Sequence, residues 1–128
     1  MEAPSLHDRI GGDIVLRRIV THFYAKMDTL PEAATIRALH APDLTEAGEK
    51  LFDFLSGWLG GPQRYVEKHG HPRLRARHLP FAIATDEALA WMTCMRSALE
   101  AHVPDPELRD ALEMGLTRLA GHMRNREG

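Results

Sequence analysis

The chain has a single cysteine, Cys94, in 128 residues. A lone thiol cannot close a disulfide within the chain, so no covalent staple holds this fold. Aromatic residues are scarce, at 6%. There is no basic excess: 16 Lys and Arg stand against 18 Asp and Glu, for a net charge of −2. That balance supplies no cationic surface to neutralise phosphates, so no nucleic-acid partner is expected. Long hydrophobic runs are also missing, and no membrane span is expected. Met1 to Arg9 lacks the apolar stretch of an export signal. With reduced Cys94, this makes the cytoplasm the expected location.

What is present is an ordinary globular balance, 44% hydrophobic and 27% charged residues. The length suits one domain over residues 1–128. Apolar spacing is helical nearly throughout. Leu16, Ile19, Val20, Phe23 and Met27 recur every three or four residues behind Gly11-Gly12-Asp13. Pro31 suits the first turn of a short helix ending near Leu39. Asp43 or Thr45 can cap a helix carrying Leu44, Ala47, Leu51, Phe54, Leu55 and Trp58, which Gly60-Gly61-Pro62 stops. Residues 60–73 are rich in Gly, Pro and His and read as a loop. Arg73 to His78 is too short for a free-standing helix. A long helix is expected from about Thr85 to His102. Asp105-Pro106 opens a last one with Leu108, Leu112, Gly115, Leu119 and Met123. No stretch alternates convincingly as a strand. The class is all-α, with about five to six helices, four of them long enough to stack as two pairs. Tyr24, Phe54, Trp58 and Trp91 fall on inner faces. The polar tips of Tyr and Trp need partners when buried, which fits a ligand cavity as well as a plain core.

Eight residues are histidine, the commonest metal ligand among side chains. His69 and His71 could imitate a zinc site with His78. Structural zinc usually takes four ligands, often with cysteine, and Cys94 lies far away on a helix. His78 stands in Arg75-Ala76-Arg77-His78-Leu79-Pro80-Phe81, between cations suited to carboxylates and apolar residues. On pattern it is either a metal ligand or a partly buried structural residue. His40 reads as a turn residue. His7, His22, His102 and His122 read as solvated, and Cys94 as inert packing. Nucleotide-binding loops, the Gly-x-Ser-x-Gly elbow, His-Glu-x-x-His and Cys-x-x-Cys-His are all absent.

Gly11-Gly12, Phe23-Tyr24, Gly60-Gly61-Pro62 and Trp91 with Cys94-Met95 join a longer block, Gly70-His71-Pro72-Arg73-Leu74-Arg75-Ala76-Arg77-His78-Leu79-Pro80-Phe81. In these residues, and across Leu6 to Asn125, the chain resembles the group II truncated haemoglobins. The resemblance implies a truncated globin fold, a two-over-two helical sandwich around non-covalent haem b. It implies His78 as the axial iron ligand, the usual role of a globin histidine. It implies Arg77, Lys50 and Tyr65 at the haem propionates, and Leu51, Phe54 and Phe81 against the haem. On the distal side it implies Tyr24, His40, Ala47 and Trp91, beside Leu51 and Phe54. Ala47 matches the position at which larger globins have a distal histidine. His40 matches a position more often filled by Phe or Tyr, a departure that sets a titratable imidazole beside Tyr24.

The function the resemblance implies is reversible binding of oxygen, nitric oxide or carbon monoxide at a penta-coordinate or labile iron with a polar distal pocket. The alternative is a haem enzyme with peroxidase-like or nitric oxide dioxygenase activity. Sustained dioxygenase turnover then needs an external reductase, since 128 residues leave no room for a flavin or nicotinamide domain. A haem-free helical interaction module follows if His78 is only structural. A monomer and a homodimer are both compatible with the sequence.

Overall fold

Gly11 and Gly12 have φ of 115° and 73°, a left-handed backbone that glycine takes without steric cost. They turn the chain between α1 (Leu6–Ile10) and α2 (Gly12–Thr29). The Ser5 hydroxyl caps α1 by accepting the Asp8 N–H at 3.0 Å. This is a computed structural model, and it describes residues 3–127. Met1, Glu2 and Gly128, the ends of the expected domain span, lie outside the described residues.

A single 3₁₀ turn, Pro31–Ala33, leads into α3 (Ala34–Ala38). Next come α4 (Thr45–Trp58), α5 (Arg64–His69), α6 (Leu74–His78), α7 (Thr85–His102) and α8 (Pro106–His122). Neither expected residue is the N-cap of α4: that position is Leu44, without a side-chain cap, and Asp43 just before it accepts the Thr45 N–H at 2.9 Å in a local turn. Asp105 caps α8 by accepting the Glu107 N–H, with Pro106 in the first turn. Among the described residues there is no β-strand.

The expected loop over residues 60–73 is corrected in its middle, where α5 forms. Six residues gain too little from helical hydrogen bonds to persist alone. Two ion pairs hold α5 from outside. Arg64 Nη2 lies 2.6 Å from Asp13 on α2, and Lys68 Nζ lies 2.7 Å from Asp53 on α4. The second short segment, α6, likewise forms because neighbours hold it.

The layers follow from which faces are apolar. α2 packs on α7 and α4, and α7 packs on α8, giving one pair of helices over another. Leu16, Phe23 and Met27 of α2 meet Met95 and Leu99 of α7 in the fully buried centre. Each such side chain contributes roughly 1.5–3 kcal/mol by leaving water. Cys94 lies in the same layer, and burial pushes its thiol pKa up, so it stays a protonated packing group. Among the described residues no helix is long and apolar enough to cross a membrane.

Gly115 on α8 lies against the Trp58 ring at the end of α4. A Cβ there would fall 2.9 Å from the Trp58 ring, whereas one at Gly121 would meet nothing within 4 Å. Gly115→Val is therefore expected to cost about 1–3 kcal/mol through overpacking. Gly121→Ala gains up to about 0.5–1 kcal/mol of helix propensity. Urea unfolding midpoints check both, and a shift of the same sign in the two variants contradicts this packing.

Candidate functional site

His78 is the last residue of α6, and its ring is fixed from its own helix. Its Nδ1–H donates to the Leu74 carbonyl at 2.6 Å. Among the described residues Nε2 has no hydrogen-bond partner. Among the described residues no buried side-chain nitrogen or oxygen lacks a partner, so this Nε2 opens on accessible space. The turn after His78 is tied down from the far end of the chain. Asn125 Nδ2 donates to the carbonyls of His78 at 3.0 Å and Phe81 at 2.9 Å. Its Oδ1 accepts the Ile83 N–H at 3.0 Å. The sequence reading missed Asn125, which stands 47 residues from His78 and has no local signature.

Three of the expected haem contacts come together. The Arg77 guanidinium lies 5.7 Å from the centre of the buried Tyr65 ring, and Tyr65 lies 6.4 Å from Phe54. Arg77 Nε donates to the Pro72 carbonyl at 2.7 Å, which orients its head group. Lys50 is placed apart from them, exposed and 3.1 Å from Glu46 on its own helix. Phe81 lies 6.4 Å from His78 and keeps 40% of its surface exposed. Leu51, Phe54 and Trp91 are half-buried against the core.

A second group gathers around Tyr24. Its ring lies 4.9 Å from Phe23 and 5.9 Å from His40, and Phe23 lies 5.0 Å from Trp91. The Tyr24 hydroxyl donates to the Ala47 carbonyl across a long 3.3 Å. Burial pushes the Tyr24 pKa up, so the phenol stays protonated. His40 Nδ1–H donates to the Ile36 carbonyl at 2.8 Å, and no partner takes its Nε2 among the described residues. His40 also lines a surface groove of about 490 Å³ with Met27, Leu30, Arg37 and Pro42. The Trp91 indole N–H has no partner among the described residues, and so it too faces accessible space.

Three solvated assignments are corrected. His7 is buried and lies 2.8 Å from the Asp13 carboxylate. Gly61 gives it room, since a Cβ there would fall 2.5 Å from the His7 ring. His22 and His102 are half-buried and bonded to each other at 3.3 Å. His122 is exposed. His69 stacks 4.8 Å from Tyr65, and His71 accepts the Arg73 N–H. Among the described residues no three His, Cys, Asp or Glu side chains converge on a metal position, so His69, His71 and His78 form no zinc site.

An imidazole pinned through Nδ1 to a carbonyl, with Nε2 free, is the donor an axial haem ligand requires. Apolar side chains left partly uncovered and an arginine beside a tyrosine suit the ring and its carboxylates. The residues present therefore fit a haem, and the fold and donor set define a haem-binding helical protein.

Comparison with known proteins gives the same class. The chain matches the bacterial-like globin family over residues 5–125. It is 40% identical over 114 residues to the group 2 truncated hemoglobin YjbI of Bacillus subtilis, covering 89% of this chain and 84% of that one. The group II 2-on-2 hemoglobin of Agrobacterium tumefaciens superposes with a TM-score of 0.95 at 44% identity, over 100% of this chain and 98% of that one. The cold-adapted truncated hemoglobin of Pseudoalteromonas haloplanktis superposes with a TM-score of 0.94 at 40% identity, over 96% and 99%. The chain belongs to the bacterial-like globin family, as a group II truncated haemoglobin with haem as its cofactor.

The α5 anchor has a pH signature. Hydrogen bonds from Arg64, and then from His7, hold the Asp13 carboxyl at a pKa of about 2, below its ordinary 3.8. A lowered folded-state pKa stabilises the fold fully above the ordinary value, and that contribution fades as pH falls through the folded one. Asp13→Asn is therefore expected to be less stable than the parent near neutrality, with the gap closing between pH 3.8 and about 2. Unfolding midpoints across that window check it, and a gap independent of pH contradicts it.

Proposed function

We propose that this protein binds oxygen and other diatomic gases reversibly at a haem held by His78, with Trp91 as the principal hydrogen-bond donor to the gas. Haem, when bound, would supply an iron with a coordination position open to a diatomic gas that accepts hydrogen bonds. The observation that carries the reading is the Trp91 indole N–H: half-buried, beside Phe23, and without a partner among the described residues. An indole nitrogen only donates, so it can only favour a ligand that accepts charge or a hydrogen bond.

The other distal residues have narrower roles. The Tyr24 proton is already directed at the Ala47 carbonyl, so its hydroxyl is a weaker donor to the gas and a fixed wall of the pocket. Ala47 leaves space where a larger side chain would close the distal side. His40 stands between Tyr24 and the open groove, with its Nε2 lone pair available as an acceptor at the pocket mouth. Leu51, Phe54 and Phe81 would cover the ring faces. Arg77 and Tyr65 would hold the propionates, and Lys50 would join them by leaving Glu46, an exposed pair that is worth little.

A charge-assisted hydrogen bond contributes about 1.5–3 kcal/mol. Trp91→Phe is accordingly expected to speed oxygen dissociation from the haem-loaded protein by about ten- to a hundredfold. Tyr24→Phe is expected to change it less. Stopped-flow ligand replacement measures both rates. An unchanged rate in Trp91→Phe overturns the donor assignment, and absence of a Soret band after haem loading overturns the whole reading.

A further inference from the structure

Away from the haem site, His22 on α2 and His102 on α7 face each other across the pair of helices at the centre of the sandwich. His102 Nε2 lies 3.3 Å from His22 Nδ1, and the ring centres lie 5.2 Å apart at an interplanar angle of 84°. The other nitrogen of His22 is occupied, since Nε2 lies 3.0 Å from the Ser97 hydroxyl. The Ser97 hydroxyl can accept the His22 Nε2–H, and in that tautomer the Nδ1 lone pair is turned towards His102. Fixing a ligand histidine through its second nitrogen is how protein metal sites orient their imidazoles.

These distances fit a chelate. Two nitrogens bound to one tetrahedral zinc, each at about 2.0–2.1 Å, lie about 3.3–3.4 Å apart, and their ring centres about 5.1–5.3 Å apart. Both separations observed here fall at those values without any movement of the helices. We propose that His22 Nδ1 and His102 Nε2 form a two-histidine site for a divalent first-row transition ion, bridging α2 to α7.

On binding, the His102 proton moves from Nε2 to Nδ1, so both rings stay neutral and each presents a lone pair to the ion. Burial, then His102 and Lys26, hold the His22 pKa below its ordinary value. Lys26 is also a like charge to the ion and weakens binding somewhat. No third His, Cys, Asp or Glu completes the set among the described residues, which leaves the remaining positions to water. Imidazole donors select copper, nickel and zinc over magnesium and calcium, with Cu²⁺ the tightest.

Calorimetric titration of zinc chloride into the haem-loaded chain tests the site. The parent and His122→Gln, altered at an exposed histidine on α8, are expected to show the same tight site. Ser97→Ala is expected to weaken it about 10–100-fold. His22→Gln and His102→Gln are expected to weaken it at least as much. Zinc should also raise the thermal midpoint of the parent but not of His102→Gln. A parent that takes up no zinc, or an affinity unchanged in His102→Gln, overturns the proposal. If His22→Gln fails to fold, Ser97→Ala decides the matter, because it leaves both imidazoles in place.

Discussion

The hydrogen bond from His78 Nδ1 to the Leu74 carbonyl, 2.6 Å long, is the constraint on which the rest of the site depends. It sets the tautomer, and so it leaves Nε2 as the nitrogen with a lone pair to give. It also turns the ring, because donor and acceptor are on consecutive turns of a helix only five residues long. So short a helix cannot hold its own geometry. Asn125 supplies what α6 lacks, by bonding to His78, Phe81 and Ile83 at once. His78, the proposed iron ligand, is thus positioned by Asn125 as much as by its own neighbours.

The same logic explains α5, the helix that brings Tyr65 beside Arg77. Its two ion pairs differ in kind. Asp13 has 46% of its side chain exposed and shares its charge with Arg64 and His7, so that pair works mainly by geometry. Asp53 is only 4% exposed. Removing Lys68 would leave its carboxylate buried without a counter-charge, which is far more costly than losing a surface pair. The short segments around His78 are therefore held by polar contacts, whereas the long helices are held by apolar burial. That division leaves the His78 side of the molecule incompletely covered, with Leu79 at 46% and Phe81 at 40% exposure.

The two kinds of contact were not equally legible. The apolar periodicity of α2, α4, α7 and α8 is local, and it located all four long helices. α5 was read as loop because its stability comes from partners 51 and 15 residues away, Asp13 and Asp53. Asn125 was missed for the same reason. His7, His22 and His102 looked solvated because each partner, Asp13 for one and Ser97 with the facing ring for the others, becomes visible only when helices meet. His78, by contrast, was marked by its immediate neighbours, arginines before it and apolar residues after it. Lys50 was assigned by resemblance, and here its head group lies on Glu46.

The central claim is that His78, and no other histidine of this chain, provides the axial nitrogen to the haem. Resonance Raman spectroscopy of the ferrous haem-loaded protein tests it through the iron–imidazole stretching band. His78→Gly is expected to abolish this band, and added free imidazole to restore it by filling the space left by the ring. An iron–imidazole band that persists in His78→Gly without added imidazole would contradict the assignment.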